Sequence, residues 1–170
     1  ISWTVPDVSG HPTNDGNFHL DSRCEWLSPN YTNDEGEQVA FAQDIASIVV
    51  HPRVEHYRIF DFSIQIKALI PDLYIGGSED AKGYGGLSLR VKLPEDLHFV
   101  SKNGEVEAQT LAVEAGPWMD IKGTFVEGAA TKAVTVMVHS SNPKPINDWI
   151  LRYESSMQNP VFPGNVKYPI

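Results

Sequence analysis

At 170 residues, with 13 Lys and Arg against 22 Asp and Glu, the chain carries a formal charge of −9, which opposes binding to a phosphate backbone or an anionic lipid surface. Its apolar runs last only a few residues, far short of the roughly 20 that a bilayer-crossing helix needs. Neither a nucleic-acid nor a membrane partner is expected. Cys24 stands alone, which excludes an internal disulfide and a Cys-based zinc site and leaves the role of a small buried hydrophobe.

The chain opens with Ile-Ser-Trp-Thr-Val and then meets Pro6, Gly10, Pro12, Asn14, Asp15 and Gly16, which predicts a short strand followed by a loop. Ser22 to Leu27 is the next strand candidate. Asn30-Tyr31-Thr32 matches an N-glycosylation sequon, a pattern common by chance. From Gln38 to Val50 the pattern is apolar and partly alternating, and it ends at His51-Pro52. Val54 to Leu69 is the clearest strand: Phe60, Phe62, Ile64, Ile66 and Ala68 fall on one face, and Asp61, Ser63, Gln65 and Lys67 on the other. Its length implies a bend or a bulge.

Gly76 to Arg90 is a glycine-rich segment that feeds an alternating strand, Leu87, Leu89, Val91 and Leu93. Lys82, Tyr84 and Arg90 are the polar handles among its glycines. A phosphate loop would need Lys followed by Ser or Thr at a helix start, and Lys82 precedes Gly83 and a strand. Asn103-Gly104 predicts a two-residue hairpin after His98 to Val100, with Val106 to Val113 returning. Ile121 to Val126 and Val134 to Val138 follow as strands, and Trp149 to Tyr153 as a short strand or helical turn. Frequent turn signals without an amphipathic helix predict an all-β, antiparallel β-sandwich.

The six histidines show neither an HExxH pattern nor a two-His-one-carboxylate spacing, so no metal or other cofactor is expected. His139 closes a strand at the place where a sandwich rim would present it. Trp118 beside Asp120, and Trp149 beside Asp148 and Arg152, combine aromatic and charged groups in the way that binds sugars by ring stacking and hydrogen bonding. The alternative is that the tryptophans close the core.

Lys82-Gly-Tyr-Gly-Gly-Leu-Ser-Leu-Arg90, Gly116-Pro-Trp-Met-Asp120, His139-Ser-Ser-Asn-Pro143, Trp149-Ile-Leu-Arg152 and Ser156-Met-Gln-Asn-Pro160 through Pro163-Gly164 come in one order and spacing. Over about residues 20 to 165 the chain resembles a bacterial family labelled methane oxygenase PmoA. The resemblance implies a β-sandwich, with a supersandwich like that of galactose mutarotase as its larger form, in proteins often found with polysaccharide-degrading systems. The family's His-rich segment near its start and its final strand have no counterpart here. The expectation is therefore a single β-sandwich domain over 1–170 that is a fragment of a larger family domain.

On that resemblance the first expected function is a glycoside hydrolase- or lyase-like enzyme acting on a saccharide. Asp120 and His139 are its proton-transfer candidates, and Lys82, Tyr84, Arg90, Trp118, Arg152 and Asn159 its binding residues. The second is a non-catalytic saccharide-binding module, and the third a structural domain that packs on a partner segment. A periplasmic or secreted location goes with the first two.

Overall fold

A computed structural model describes residues 1–76, 81–154 and 157–170; Gly77 and Ser156 of the motifs above lie outside them. Among the described residues all the regular elements are strands and about half of the positions lie in them, so the protein is an antiparallel all-β fold. The chain divides into two compact units, residues 1–73 with Pro169–Ile170, and residues 74–168.

The first unit is a four-stranded antiparallel meander of β1 (Ser2–Pro12), β2 (Phe18–Thr32), β3 (Gln38–Val50) and β4 (Phe60–Ala68), in that spatial order. Its turns are closed by short polar side chains that hydrogen-bond the local backbone and each other. Asp15 accepts from Asn17 Nδ2 at 2.7 Å, and Asn33 Oδ1 accepts from the Glu37 amide at 2.8 Å.

Two expectations are corrected here. The loop predicted from Pro6, Gly10 and Pro12 is strand: β1 is an edge, where a proline costs no ladder hydrogen bond, and Pro6 falls in the register shift between Thr4 and Asp7. The strand predicted from Val54 begins at Phe60 instead. Val54 and Tyr57 close on each other through backbone bonds of 3.0 and 2.9 Å, with Glu55 at φ 45° between them.

The second unit contains β5 (Tyr74–Ile75), β6 (Leu89–Arg90), β7 (His98–Ser101), β8 (Gly104–Val106), β9 (Val113–Glu114), β10 (Trp118–Gly123), β11 (Lys132–Met137), β12 (Asp148–Ile150) and β13 (Met157–Pro160). A last strand, β14 (Tyr168–Pro169), pairs with β5. One four-stranded sheet has the order β11-β10-β7-β8 and the other β6-β13-β12-β9. Their inner faces form one core, with Phe99, Met119 and Ile121 from the first and Trp149 and Leu151 beside the second. This is sheet-on-sheet packing, fed by the period-two alternation of β7 and β10.

The β7–β8 hairpin turns at Lys102-Asn103, one position before the predicted pair. Ser101 pairs with Gly104, and the glycine opens β8 at φ 102°. Trp149 sits at the centre of the core with no exposed surface, and its indole N–H donates to the Gly116 carbonyl at 2.7 Å. That bond satisfies the polar handle which a buried tryptophan carries.

Replacing Trp149 with Ala removes this side chain from a packed interior and should lower the stability of the second unit by about 3–5 kcal/mol, read by chemical denaturation. A second prediction concerns acid. Asp96 accepts from the Thr124 amide at 2.7 Å and the Thr124 hydroxyl at 2.8 Å, and these bonds hold its carboxyl below the ordinary value. A depressed folded pKa contributes stability that is present above the unfolded value and is lost as pH falls through the folded one. Thermal melts should therefore show wild type losing its advantage over Asp96→Asn as pH drops below about 4; an advantage independent of pH would contradict this.

Candidate functional site

The glycine-rich segment is held against the end of the chain. Asn159, fully buried on β13, donates Nδ2 to the carbonyls of Gly85 at 2.8 Å and Pro160 at 3.1 Å. Gly86 has φ 79°, and a Cβ there would stand 2.6 Å from the Phe162 carbonyl oxygen, so only glycine fits. The Lys82–Arg90 and Pro163–Gly164 motifs thus meet because the backbone of one lies against the backbone of the other.

Beyond β12 the ladder is continued by a side chain. The Gln158 amide accepts from the Arg152 N–H at 2.8 Å and donates to the Arg152 carbonyl at 2.7 Å, giving that residue the two bonds a neighbouring strand would supply. The guanidinium is fixed in turn. Its Nη1 donates to the carbonyls of Gln109 and Leu151, each at 2.7 Å, and its Nη2 to the Thr110 carbonyl at 3.0 Å and the Tyr84 hydroxyl at 3.1 Å. Arg152 also lies over the Tyr84 ring, 5.7 Å from its centroid, and the Lys82 ammonium is 6.0 Å from the same centroid.

These groups line an open cleft of about 320 Å³, whose walls include Lys82, Tyr84, Gln109, Thr110, Arg152 and Tyr153. The Tyr153 hydroxyl donates to Glu107 at 3.0 Å; desolvation and that bond raise its pKa above the ordinary tyrosine value. The cleft therefore joins a cationic side to two phenolic rings.

Of the residues expected to form a site, Lys82, Tyr84 and Arg152 come together here. Asn159 lies beneath, as the anchor of the Gly85 carbonyl. Arg90 projects from β6 opposite Met157, with Nη2 3.9 Å from its sulfur. Trp118 and Asp120 belong to the other sheet, on β10, and His139 lies two residues beyond the end of β11. Trp118 and Asp120 alternate with the buried Met119 and Ile121 and so point away from the core, opposite Met137 and Thr135. Asp120 accepts from the Thr135 hydroxyl at 2.5 Å, while the His139 ring is 2.7 Å from the Ser141 hydroxyl. His139 lines a different, smaller cleft of about 220 Å³ with Pro117, Lys144 and Asn147. Trp149 offers no platform, because it is core.

Gln109, Thr110 and Tyr153 were not anticipated from sequence. Two of them act through backbone carbonyls, which leave no trace in residue identity; Tyr153 directly follows the Trp149–Arg152 motif.

Fold and site together define an all-β protein with an aromatic, cation-bearing cleft at the end of one sheet. The chain belongs to a family of unknown function (DUF6807), whose model matches residues 6–170, and that description carries no methane oxygenase label. No curated protein and no solved structure matches the chain.

Arg152→Lys keeps the charge and loses the fork that ties residues 109 and 110 to Tyr84. It should cost about 2 kcal/mol, from bonds made by a charged donor, and should speed proteolysis around Leu111. Unchanged stability and cleavage would show that the fork does not hold the segment.

Proposed function

We propose that the protein is a saccharide-binding module, with the Lys82–Tyr84–Arg152–Tyr153 cleft as its binding site. The observation that carries the reading is Tyr84. Its ring stands in the cleft, with the Arg152 guanidinium over it and bonded to its hydroxyl. A phenolic ring supplies an apolar face for the C–H surface of a pyranose, and neighbouring donors and carbonyls meet the hydroxyls around its edge. The positive side of the cleft favours a sugar that bears a carboxylate. The likeness of the five motifs to the family labelled PmoA, with its polysaccharide-degrading company, supports the same substrate class and a periplasmic or secreted setting.

The enzyme reading asks for a proton-transfer pair beside the bound sugar. Asp120 and His139 are engaged with Thr135 and Ser141 away from this cleft. Tyr153 is the titratable phenol at the cleft beside Glu107, and its raised pKa keeps it protonated near neutrality, which suits a hydrogen-bond donor better than a base. Binding without turnover is the conclusion we draw.

Titration calorimetry against neutral and uronate-containing oligosaccharides tests it. Saturable binding is expected, weakened at least about tenfold, or 1.4 kcal/mol, by Tyr84→Ala, with no product in long incubations. Product formation that Asp120→Asn abolishes would establish the hydrolase or lyase reading instead, and binding indifferent to Tyr84→Ala would move the site elsewhere.

A further inference from the structure

The meander of the first unit has one polar and one apolar face. Directly paired residues share a face, so the register places Phe60, Phe62 and Ile64 of β4 beside Val50, Ile48 and Ala46 of β3, then Phe18, Leu20 and Ser22 of β2, then Pro12, Gly10 and Val8 of β1. Trp3 joins this face opposite Trp26. The other face carries His11, His19, Asp21, Ser47, Asp61 and Ser63. The apolar face stands open: Trp3 is 63% exposed, Val8 61%, Phe18 43%, Leu20 36%, Phe60 51%, Phe62 52% and Ile64 52%.

We propose that this face is a homodimer interface, covered by the same face of a second copy. The area fits. At about 150–250 Å² for a whole aromatic side chain, the exposed parts of Trp3, Phe18, Phe60 and Phe62 amount to roughly 400 Å². Val8, Leu20 and Ile64 add roughly 200 Å². Two copies would bury about 1,200 Å², the lower edge of what stable interfaces need.

The relief fits as well. Across the middle strands one row is bulky, Leu20 beside Ile48, and the next row is small, Ser22 beside Ala46. A two-fold axis between the rows sets each bulky row over the other copy's small one, an isologous contact in the usual sheet-on-sheet geometry. Charge speaks against a lipid surface as the occupant, because the unit holds four Lys and Arg against eleven Asp and Glu. Asp21 and Asp61 point to the far side of each sheet, and stacked sheets lie about 10 Å apart, so their repulsion is largely screened at physiological salt; Asp44, at the Trp26 end of the interface face, accepts from the Trp26 indole N–H at 2.7 Å.

Sedimentation equilibrium of the 170-residue chain should give twice the chain mass, in a concentration-dependent equilibrium. Ile64→Lys, on the exposed edge strand, should weaken the dimer at least tenfold, and Ser63→Lys on the opposite face should leave it intact, with unchanged far-ultraviolet circular dichroism in both. Cys24 shares the apolar face, opposite Asp44, and should react with a maleimide more slowly as wild-type concentration rises. A monomer at all concentrations would overturn the proposal. So would a dimer that Ile64→Lys leaves unchanged, or a monomer that instead co-sediments with phosphatidylcholine vesicles.

Discussion

An antiparallel sheet with one apolar face must lose that face to another layer, and both units of this chain are shaped by that requirement. In the second unit the requirement is met internally. Met119 and Ile121 of one sheet and Trp149 and Leu151 at the other contribute to a single cluster, and Trp149 spends its one polar group on the Gly116 carbonyl. In the first unit the same alternation gives a face of Phe60, Phe62, Ile64, Leu20 and Phe18 with much of each side chain in water. A contiguous apolar surface of this kind is the ground for the association proposed above.

Strands as short as β6, β9 and β12 supply few ladder bonds, so side chains complete the ladder. Gln158 pairs with both backbone groups of Arg152, Asn159 reaches the Gly85 carbonyl, and Arg152 gathers the carbonyls of residues 109 and 110. The Gln158 and Asn159 amides are buried, where an unpaired backbone group would cost about 1–3 kcal/mol, while the bonds from Arg152 to residues 109 and 110 lie at the exposed cleft. The motifs that look like a binding constellation in sequence are therefore in part the hydrogen-bonding frame of irregular strands. Asn159 gives Nδ2 to that frame while its buried Oδ1 has no hydrogen-bond partner among the described residues, and Tyr84 stands on the frame.

Alternation was legible in part: Phe60 to Ala68 falls in β4 and Val134 to Met137 in β11, but of the strand expected over Ile121 to Val126 only Ile121 to Gly123 lies in β10, which begins at Trp118. Errors arose where local chemistry lost to topology. Pro6 and Pro12 read as loop because a proline cannot donate to a ladder, and nothing in the residues says that β1 is an edge with a bulge to accommodate one. The strand between Val106 and Val113 breaks, although its residues would tolerate extension, because Gln109 and Thr110 are turned so that their carbonyls meet Arg152. For the site, sequence order grouped Arg152, Tyr84 and Lys82 with Asp120 and His139. Spacing along a chain does not report which of two sheets a strand joins.

That division bears directly on chemistry. Both Nη atoms of Arg152 are committed to protein oxygens, so in the binding proposed above it would contribute its charge and the Tyr84 ring beside it rather than a bidentate clamp. A hydrolase must also place an acid and a base within hydrogen-bond reach of one glycosidic bond, with carboxyl groups about 5 to 9.5 Å apart in the usual two-carboxylate mechanisms. Among the described residues the carboxylate tied to this cleft is Glu107, through Tyr153, and Asp120 lies on the outer face of the other sheet. On the reading proposed above, a carboxylate held behind a protonated phenol, with Lys82 and Arg152 at the side of the cleft, suits an acidic sugar.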